Sequence, residues 1–348
     1  MKIKRAKIHD FSAFADVEIP FSPGINVFIG ENSTGKSHLL KLLYSVVKVN
    51  EEPGLAADAL RVKLRQKLDH VFKPDDHQIG RLVRRKRGHH SARVEIETAR
   101  GGMTSFSLST RGDIDVSVTR WPQEFQCVFL PSREVLALYE RFIGLYDLRD
   151  ISIDETYYDA IKALSTPVLR GPRGEAAHRL FAPIEEALGG EVWNEGGRFY
   201  VALEGGNMEA HLVSEGLRKL ASVAFLIKNG TLRKNSVLFW DEPEANLNPR
   251  LIRRVADFLT ALAESGVQVF LATHDYLLSQ QISLAKEFAT TKAEMRFVSF
   301  ERKRGGVAVE GGETISDLES NPILDEFLKH HKYENKLLWD EQTRLGPA

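Results

Sequence analysis

The sequence predicts an α/β fold built on a largely parallel sheet, and three stretches carry that prediction. "INVFIG" runs straight into "GENSTGKS" at 30–37, "SVLFW" into Asp241-Glu242, and "VQVFLAT" into His274-Asp275. Each is a short apolar run of buried-strand length, and each ends on residues with chemistry to offer. Helical patterns separate the later runs, which argues for strands joined by crossovers in a largely parallel sheet.

Bulk properties set the frame. The chain has 348 residues, 43% of them apolar and 27% charged, which suits a soluble globular protein of one large or two modest domains. A net charge of -1 gives no case, over the whole chain, for nucleic acid or membrane as a partner. The single cysteine, Cys127, excludes an internal disulfide and a cysteine-rich zinc site. It lies in the strand-like run "EFQCVFLP" and reads as a buried structural thiol. No window is apolar enough to span a membrane, and the alternating "MKIKRAKIHD" is not a signal peptide, so a cytoplasmic protein is expected.

Taken in order, "KIKRAKIHDF", "ADVEIPF" and "GINVFIG" read as strands. "KSHLLKLLYSVVKVN" has helical spacing and is stopped by "EEPG"; residues 56–72 form a second helix. "ARVEIETA", "TSFSLST", "DIDVSVT" and "FQCVFLP" suggest antiparallel strands. Residues 133–188 are mostly helical, with a break at "RGPRGE", and 191–213 reads strand, turn, strand, turn, strand, the glycine pairs marking the turns. After 214 the order is helix, strand, helix, strand, helix and the strand "MRFVSF". Sustained heptads, tandem repeats and low-complexity segments are not found.

The loop Gly30-Glu31-Asn32-Ser33-Thr34-Gly35-Lys36-Ser37 fits G-x-x-x-x-G-K-[ST]. Its glycines let consecutive N–H groups turn toward phosphate oxygens, and the helix that follows adds a positive dipole end. Lys36 would neutralise β- and γ-phosphate charge, and the Ser37 hydroxyl would be a Mg²⁺ ligand to bound ATP. The bland alternative is a glycine turn with a surface lysine.

A buried strand ending at 240 delivers Asp241 and Glu242 to the carboxyl edge of the sheet, where open α/β sheets bind ligands. Asp241 would help hold Mg²⁺ through its water shell. Glu242 would orient or deprotonate the attacking water, opposite the leaving group of an in-line displacement. His274 arrives at the same edge one crossover away, in reach of the γ-phosphate or the water. An acidic turn opening a helix and a structural histidine are the competing readings.

The order "GENSTGKS", "LVSEGLRKLASVAFL", "LFWDEPEANLNP", "ATHD" resembles the ABC-type ATPases, in particular the SMC/RecF/OLD-like branch of stand-alone heads. Ser214-Glu215-Gly216 resembles that family's signature segment in its S-x-G form, departing from the transporter L-S-G-G-Q. The likeness covers roughly 1–50 and 205–280. It implies an ABC-ATPase-like P-loop NTPase with a mixed sheet, an antiparallel β subdomain and a helical insertion. It also implies a homodimer in which two heads sandwich two ATPs, Ser214 and Gly216 of one completing the site of the other. A helix opening at 214 is in any case a second anion site, and one such site per face suits a two-fold dimer; a plain N-cap role for Ser214 is the alternative. Asn246-Leu247-Asn248 would lie at the seam as the family's D-loop. For the Mg²⁺-touching loop between the halves, Ser132 and Arg133 are in place, Gln126 is a weaker choice, and Arg133 could equally serve an ion pair.

The expected organisation is one ATPase domain over 1–305, with core halves at about 1–50 and 205–305 around an inserted lobe at 51–204, then a helical tail at 306–348. Residues 61–93 hold eleven basic residues against three acidic ones, centred on Arg81, Arg84, Arg85, Lys86 and Arg87. DNA, an acidic partner protein and a solvated face all remain readings of that stretch; His89-His90 lacks partners at metal-ligand spacing. After His274 come "WDEQ" and scattered acids but no strand-bound Glu with a D-x-D set, so no nuclease is expected in the chain. The leading expectation is an ATP-hydrolysing head that switches a separate effector in bacterial defence or DNA maintenance. The others are a RecF-like DNA-binding repair ATPase and a scaffold that binds ATP and barely turns it over.

Overall fold

The computed structural model describes residues 1–119, 121, 125–149, 151–203 and 205–345, with side chains to 338 except at 176, 183 and 187. β1 (Ile3–Phe11) and β2 (Phe14–Pro20) form a hairpin, and β3 (Ile25–Gly30) leads through the glycine loop into α1 (Lys36–Val49). Asn50 ends that helix, its side chain donating to the Val46 carbonyl at 2.8 Å. α2 (Ala57–Phe72) precedes three antiparallel strands, β4 (Ser91–Thr98), β5 (Met103–Ser109) and β6 (Ile114–Val118), and then β7 (Cys127–Leu130). Three helices follow, α3 (Phe142–Leu148), α4 (Glu155–Leu164) and α5 (Pro172–Leu188), then the small strands β8 (Val192–Glu195), β9 (Arg198–Leu203) and β10 (Gly206–Glu209). The rest is α6 (Glu215–Lys228), β11 (Val237–Asp241), α7 (Pro249–Glu264), β12 (Gln268–Thr273), α8 (Tyr276–Glu287), β13 (Met295–Lys303), β14 (Gly306–Gly312) and α9 (Pro322–Leu345).

These strands form a mixed α/β architecture of three sheets. The central one has the order β14-β13-β3-β12-β11-β7, parallel throughout except for β14 on β13. An antiparallel sheet, β2-β1-β4-β5-β6, packs over it, and β10-β9-β8 makes a third. Register brings the strand ends to one edge: Trp240 lies opposite Leu130, Asp241 opposite Ala272 and Thr273 opposite Ile29.

Both faces of the central sheet are buried, which is why its strands read as unbroken apolar runs rather than alternating ones. One face is aromatic: Phe28, Phe239, Phe270 and Phe300 sit beneath α1 and the antiparallel sheet, with Phe239 stacked on Phe270 at 5.2 Å. The other is largely aliphatic, Val27, Leu238, Val269 and Leu271 packing on α6 and α7. Cys127 is buried in the aromatic layer, where desolvation pushes its thiol well above the usual range.

Three expectations change. β7 pairs parallel with β11 and belongs to the central sheet, not to the antiparallel group; four buried residues in a row carry no sign of strand direction. The core and insert therefore interleave: β1 and β2 join the antiparallel sheet, while 127–130 of the expected insert joins the core. The helical tail does not start at 306, because Gly306–Gly312 turns back as an edge strand on β13 and the helix starts only at Pro322. Residues 346–348 of that tail, and the side chains of "WDEQ", lie outside the described residues. Among the described residues no helix is long and apolar enough to cross a membrane.

Candidate nucleotide site

Gly35 adopts a left-handed conformation (φ 95°) immediately before α1, a bend that a Cβ would strain. The helix thereby opens at the loop with its first N–H groups unpaired by the helix itself. Lys36 is buried, and its Nζ folds back to donate to the carbonyls of Gly30 (2.6 Å) and Glu31 (2.8 Å). Burial holds this ammonium below its usual pKa, against the pull of Asp241, Glu242, Glu244 and Glu31. A desolvated cation held by neutral carbonyls is poised to gain from phosphate oxygens. The Thr34 hydroxyl donates to the Glu31 carbonyl at 2.8 Å, and Arg302 to that of Ser33 at 3.4 Å, bracing the loop.

Ser37 Oγ donates to Asp241 Oδ1 at 3.0 Å across 204 residues of sequence. Asp241 is buried, and desolvation, helped by the neighbouring Glu242, pushes its carboxyl up to about 6. A hydroxyl beside a desolvated carboxylate is a hard oxygen pair, and it fits Mg²⁺.

Glu242 leaves β11 with a positive φ of 47°, while its N–H still donates to the Ala272 carbonyl at 2.9 Å. His274 Nδ1 stands 3.2 Å from Glu242 Oε1 and 3.8 Å from Glu244 Oε1. Glu244 is buried, accepts from Thr273 Oγ1 at 2.7 Å, and has its pKa raised by burial. The ends of β11 and β12 therefore gather one hydroxyl, one imidazole and three carboxylates. A cavity of about 330 Å³ joins these elements, lined by residues 32–38, Asp241 and Glu242 on one side and by Ser12 and Ala13 of the β1–β2 turn on the other. Sequence reasoning missed that second wall; no motif marks it, although Ser12 also hydrogen-bonds His38.

The head of α6 is set apart from this cavity. Ser214 is exposed at the N-cap position, yet its hydroxyl makes no capping bond, and neither it nor Gly216 lines the cavity. Gly216 is buried because α6 closes on the turn after Glu242: a Cβ there would stand 2.4 Å from the Asn246 carbonyl oxygen. Asn246 is exposed, and Asn248 caps α7 by accepting from the Leu251 N–H at 3.0 Å. Two neighbours on α6 went unnoticed in the sequence. Arg218 Nε is 2.9 Å from Glu134 Oε1, and Lys219 reaches the main chain at Glu242.

Ser132 and Arg133 follow β7 at the same sheet edge. Gln126 does not: it precedes the strand at the opposite end, its carbonyl accepting from the Val237 N–H at 2.9 Å. The basic stretch is only partly free. Lys67 pairs with Glu155 (3.0 Å) and Asp159 (2.8 Å), Arg81 with Asp75 (3.6 Å), and Lys86 and Arg84 with the buried Asp10 (2.6 and 3.7 Å). Arg85 and Arg87 are exposed and have no ion-pair partner among the described residues.

Known proteins resemble this chain in sequence and fold. A family model described as "AAA domain, putative AbiEii toxin, Type IV TA system" matches residues 25–279, from β3 into α8. The DNA replication and repair protein RecF of Streptococcus agalactiae is 30% identical over 96 residues, 28% of this chain and 24% of that protein; RecF of Pediococcus pentosaceus is 43% identical over 44 residues, 13% and 12%. The chain thus spans about a quarter or less of the curated relatives it matches. Among solved structures, an SMC head bound to the C-winged helix domain of ScpA superposes with a TM-score of 0.56 at 13% identity, covering 92% of this chain and 100% of that one. The Smc head of Pyrococcus yayanosii gives 0.54 at 11%, covering 95% and 99%. At these identities the likeness is one of fold.

Proposed function

We propose, for a chain that belongs to this AAA-domain family and has the fold of an SMC-type ATPase head, that it binds and hydrolyses ATP and dimerises around it. One observation carries the reading: Lys36, Ser37, Asp241, Glu242 and His274, drawn from three separate stretches, converge on one sheet edge beside a cavity of about 330 Å³. In it, residues 30–35 wrap the phosphates, and Lys36 trades its two carbonyls for phosphate oxygens. Ser37 and Asp241 hold Mg²⁺, which when bound neutralises charge on the β- and γ-phosphates. Glu242 takes the proton of the attacking water, and His274, its Nδ1 3.2 Å from that carboxylate, steadies the carboxylate's direction.

Dimerisation is supported by what the head of α6 lacks. Ser214 is an exposed hydroxyl without a capping bond, at a helix N-terminus outside the cavity of its own chain. Seated on a second copy's γ-phosphate, Ser214 and Gly216 complete a symmetric pair of sites. Such a dimer reports the presence of ATP to a partner; the toxin–antitoxin wording of the family and the ScpA domain bound to one SMC head favour a separate effector. Bacterial defence or DNA maintenance is the setting we assign to it.

The test is Glu242→Gln. Turnover falls by about 10²–10⁴-fold while ATP still binds, and light scattering on a sizing column shows a dimer that forms only with Mg-ATP. A variant that hydrolyses normally, or stays monomeric with ATP bound, contradicts the reading. A second reading, a RecF-like clamp on DNA, is favoured by the exposed Arg85 and Arg87 and by the RecF matches.

A further inference from the structure

α6 does more than present Ser214. Its buried Lys219 points inward, one turn after Gly216, and is only 3% exposed. Its Nζ donates to two main-chain oxygens, Glu242 at 3.0 Å and Ala245 at 3.3 Å. Burying an ammonium carries a large desolvation penalty unless it gains partners, and here both partners are carbonyls of the segment that carries Glu242.

That segment has reason to be gripped. Glu242 and Asn246 both hold positive φ, 47° and 65°, conformations that non-glycine residues adopt only when their surroundings impose them. Two tight turns connect them, Ala245 N–H to the Glu242 carbonyl (3.2 Å) and Leu247 N–H to that of Glu244 (3.0 Å). Gly216 and Lys219, three residues apart and so on one face of α6, contact the two ends of this pair of turns. At Gly216 the backbones touch, and at Lys219 an ammonium bridges them.

We propose that Lys219 is a positioning residue for Glu242. It ties the main chain of the base to the helix whose head is Ser214, so that the carboxylate's place over the γ-phosphate depends on where α6 sits. The role rests on the reading of Glu242 as the base. It gives the base a mechanical link to the surface where a second copy docks: a displacement of α6 on docking is passed to Glu242 through this bridge. Lys219 touches neither nucleotide nor water in this scheme, so its loss acts on turnover and spares binding.

The experiment compares Lys219→Met, Lys219→Gln and Glu242→Gln in the full chain. ATP affinity is measured by calorimetry and steady-state hydrolysis with Mg-ATP. Lys219→Met keeps the aliphatic stem and removes the donors; kcat is expected to fall about 100-fold, the scale of a catalytic group misplaced by an ångström, with ATP affinity kept within about threefold. Lys219→Gln retains an amide donor and lies between, and it serves where the methionine variant does not fold. A Lys219→Met chain with unchanged kcat beside an inactive Glu242→Gln chain overturns the positioning role alone. Loss of ATP affinity at constant kcat overturns it too, since the lysine then acts in binding. A fully active Glu242→Gln chain removes the base itself, and the role of Lys219 with it.

Discussion

The glycine loop at 30–37 lines a cavity from Asn32 onward and has its lysine buried, whereas the head of α6 at 214–216 shows an exposed serine and stands outside that cavity. Both are helix N-termini entered through small residues, and both offer backbone N–H groups to an anion. They differ in their surroundings. The first is met within the chain by Asp241 and Glu242; the second is backed by Lys219, and its serine is exposed and makes no capping bond. In the proposed reading each is half of one site, and a second copy is what brings the exposed head to the loop.

The contrast breaks most visibly at Lys36. Lys36→Ala removes the buried cation and is expected to weaken ATP binding by about 10²-fold or more, since two charge-assisted bonds at 1.5–3 kcal/mol each are lost. Calorimetric titration with ATP reads it, and retained affinity would mean the loop is only a turn. Next comes Ser214→Arg, which puts a bulky group on the exposed head without touching the cavity. ATP binding stays, while turnover drops about tenfold or more, the worth of one lost phosphate contact at 1.5–3 kcal/mol. Unchanged turnover would take Ser214 out of the site. The smallest effect concerns the exposed arginines on which the second reading rests. Replacing Arg85 and Arg87 by alanine is expected to flatten the salt dependence of duplex DNA binding by about 1.8 in log–log slope, 0.9 per phosphate contact. An unaltered slope removes that loop from any nucleic-acid contact and with it the clamp reading.

How much of this was legible depends on how local the signal is. The phosphate loop, the Asp241-Glu242 strand end and the His274 strand end were readable because strand, turn and helix signals sit within a dozen residues of each other. The direction of β7 was not, because "CVFL" pairs with a strand 110 residues away and reads the same either way up. The edge strand β14 escaped because its glycines at 306, 311 and 312 look like loop. The basic stretch misled by counting: its charges were read without their partners, and Asp10, which takes both Arg84 and Lys86, lies more than 70 residues upstream. Lys219 was invisible for a related reason. Nothing in "SEGLRKL" says that one cation faces Glu134 and the next a pair of carbonyls; only the packing of α6 on the Glu242 turns does.

The measurement that bears most directly on the proposal of a shared site mixes two defective chains. Lys36→Ala carries an intact α6 head and a broken loop; Ser214→Arg carries the reverse. Each alone hydrolyses little ATP. In a mixed dimer one composite site joins the good loop of one chain to the good serine of the other. Hydrolysis that rises well above the sum of the two separate chains, peaking near equal proportions, is the predicted result. A rate that never exceeds that sum at any ratio would mean that each chain works, or fails, within itself.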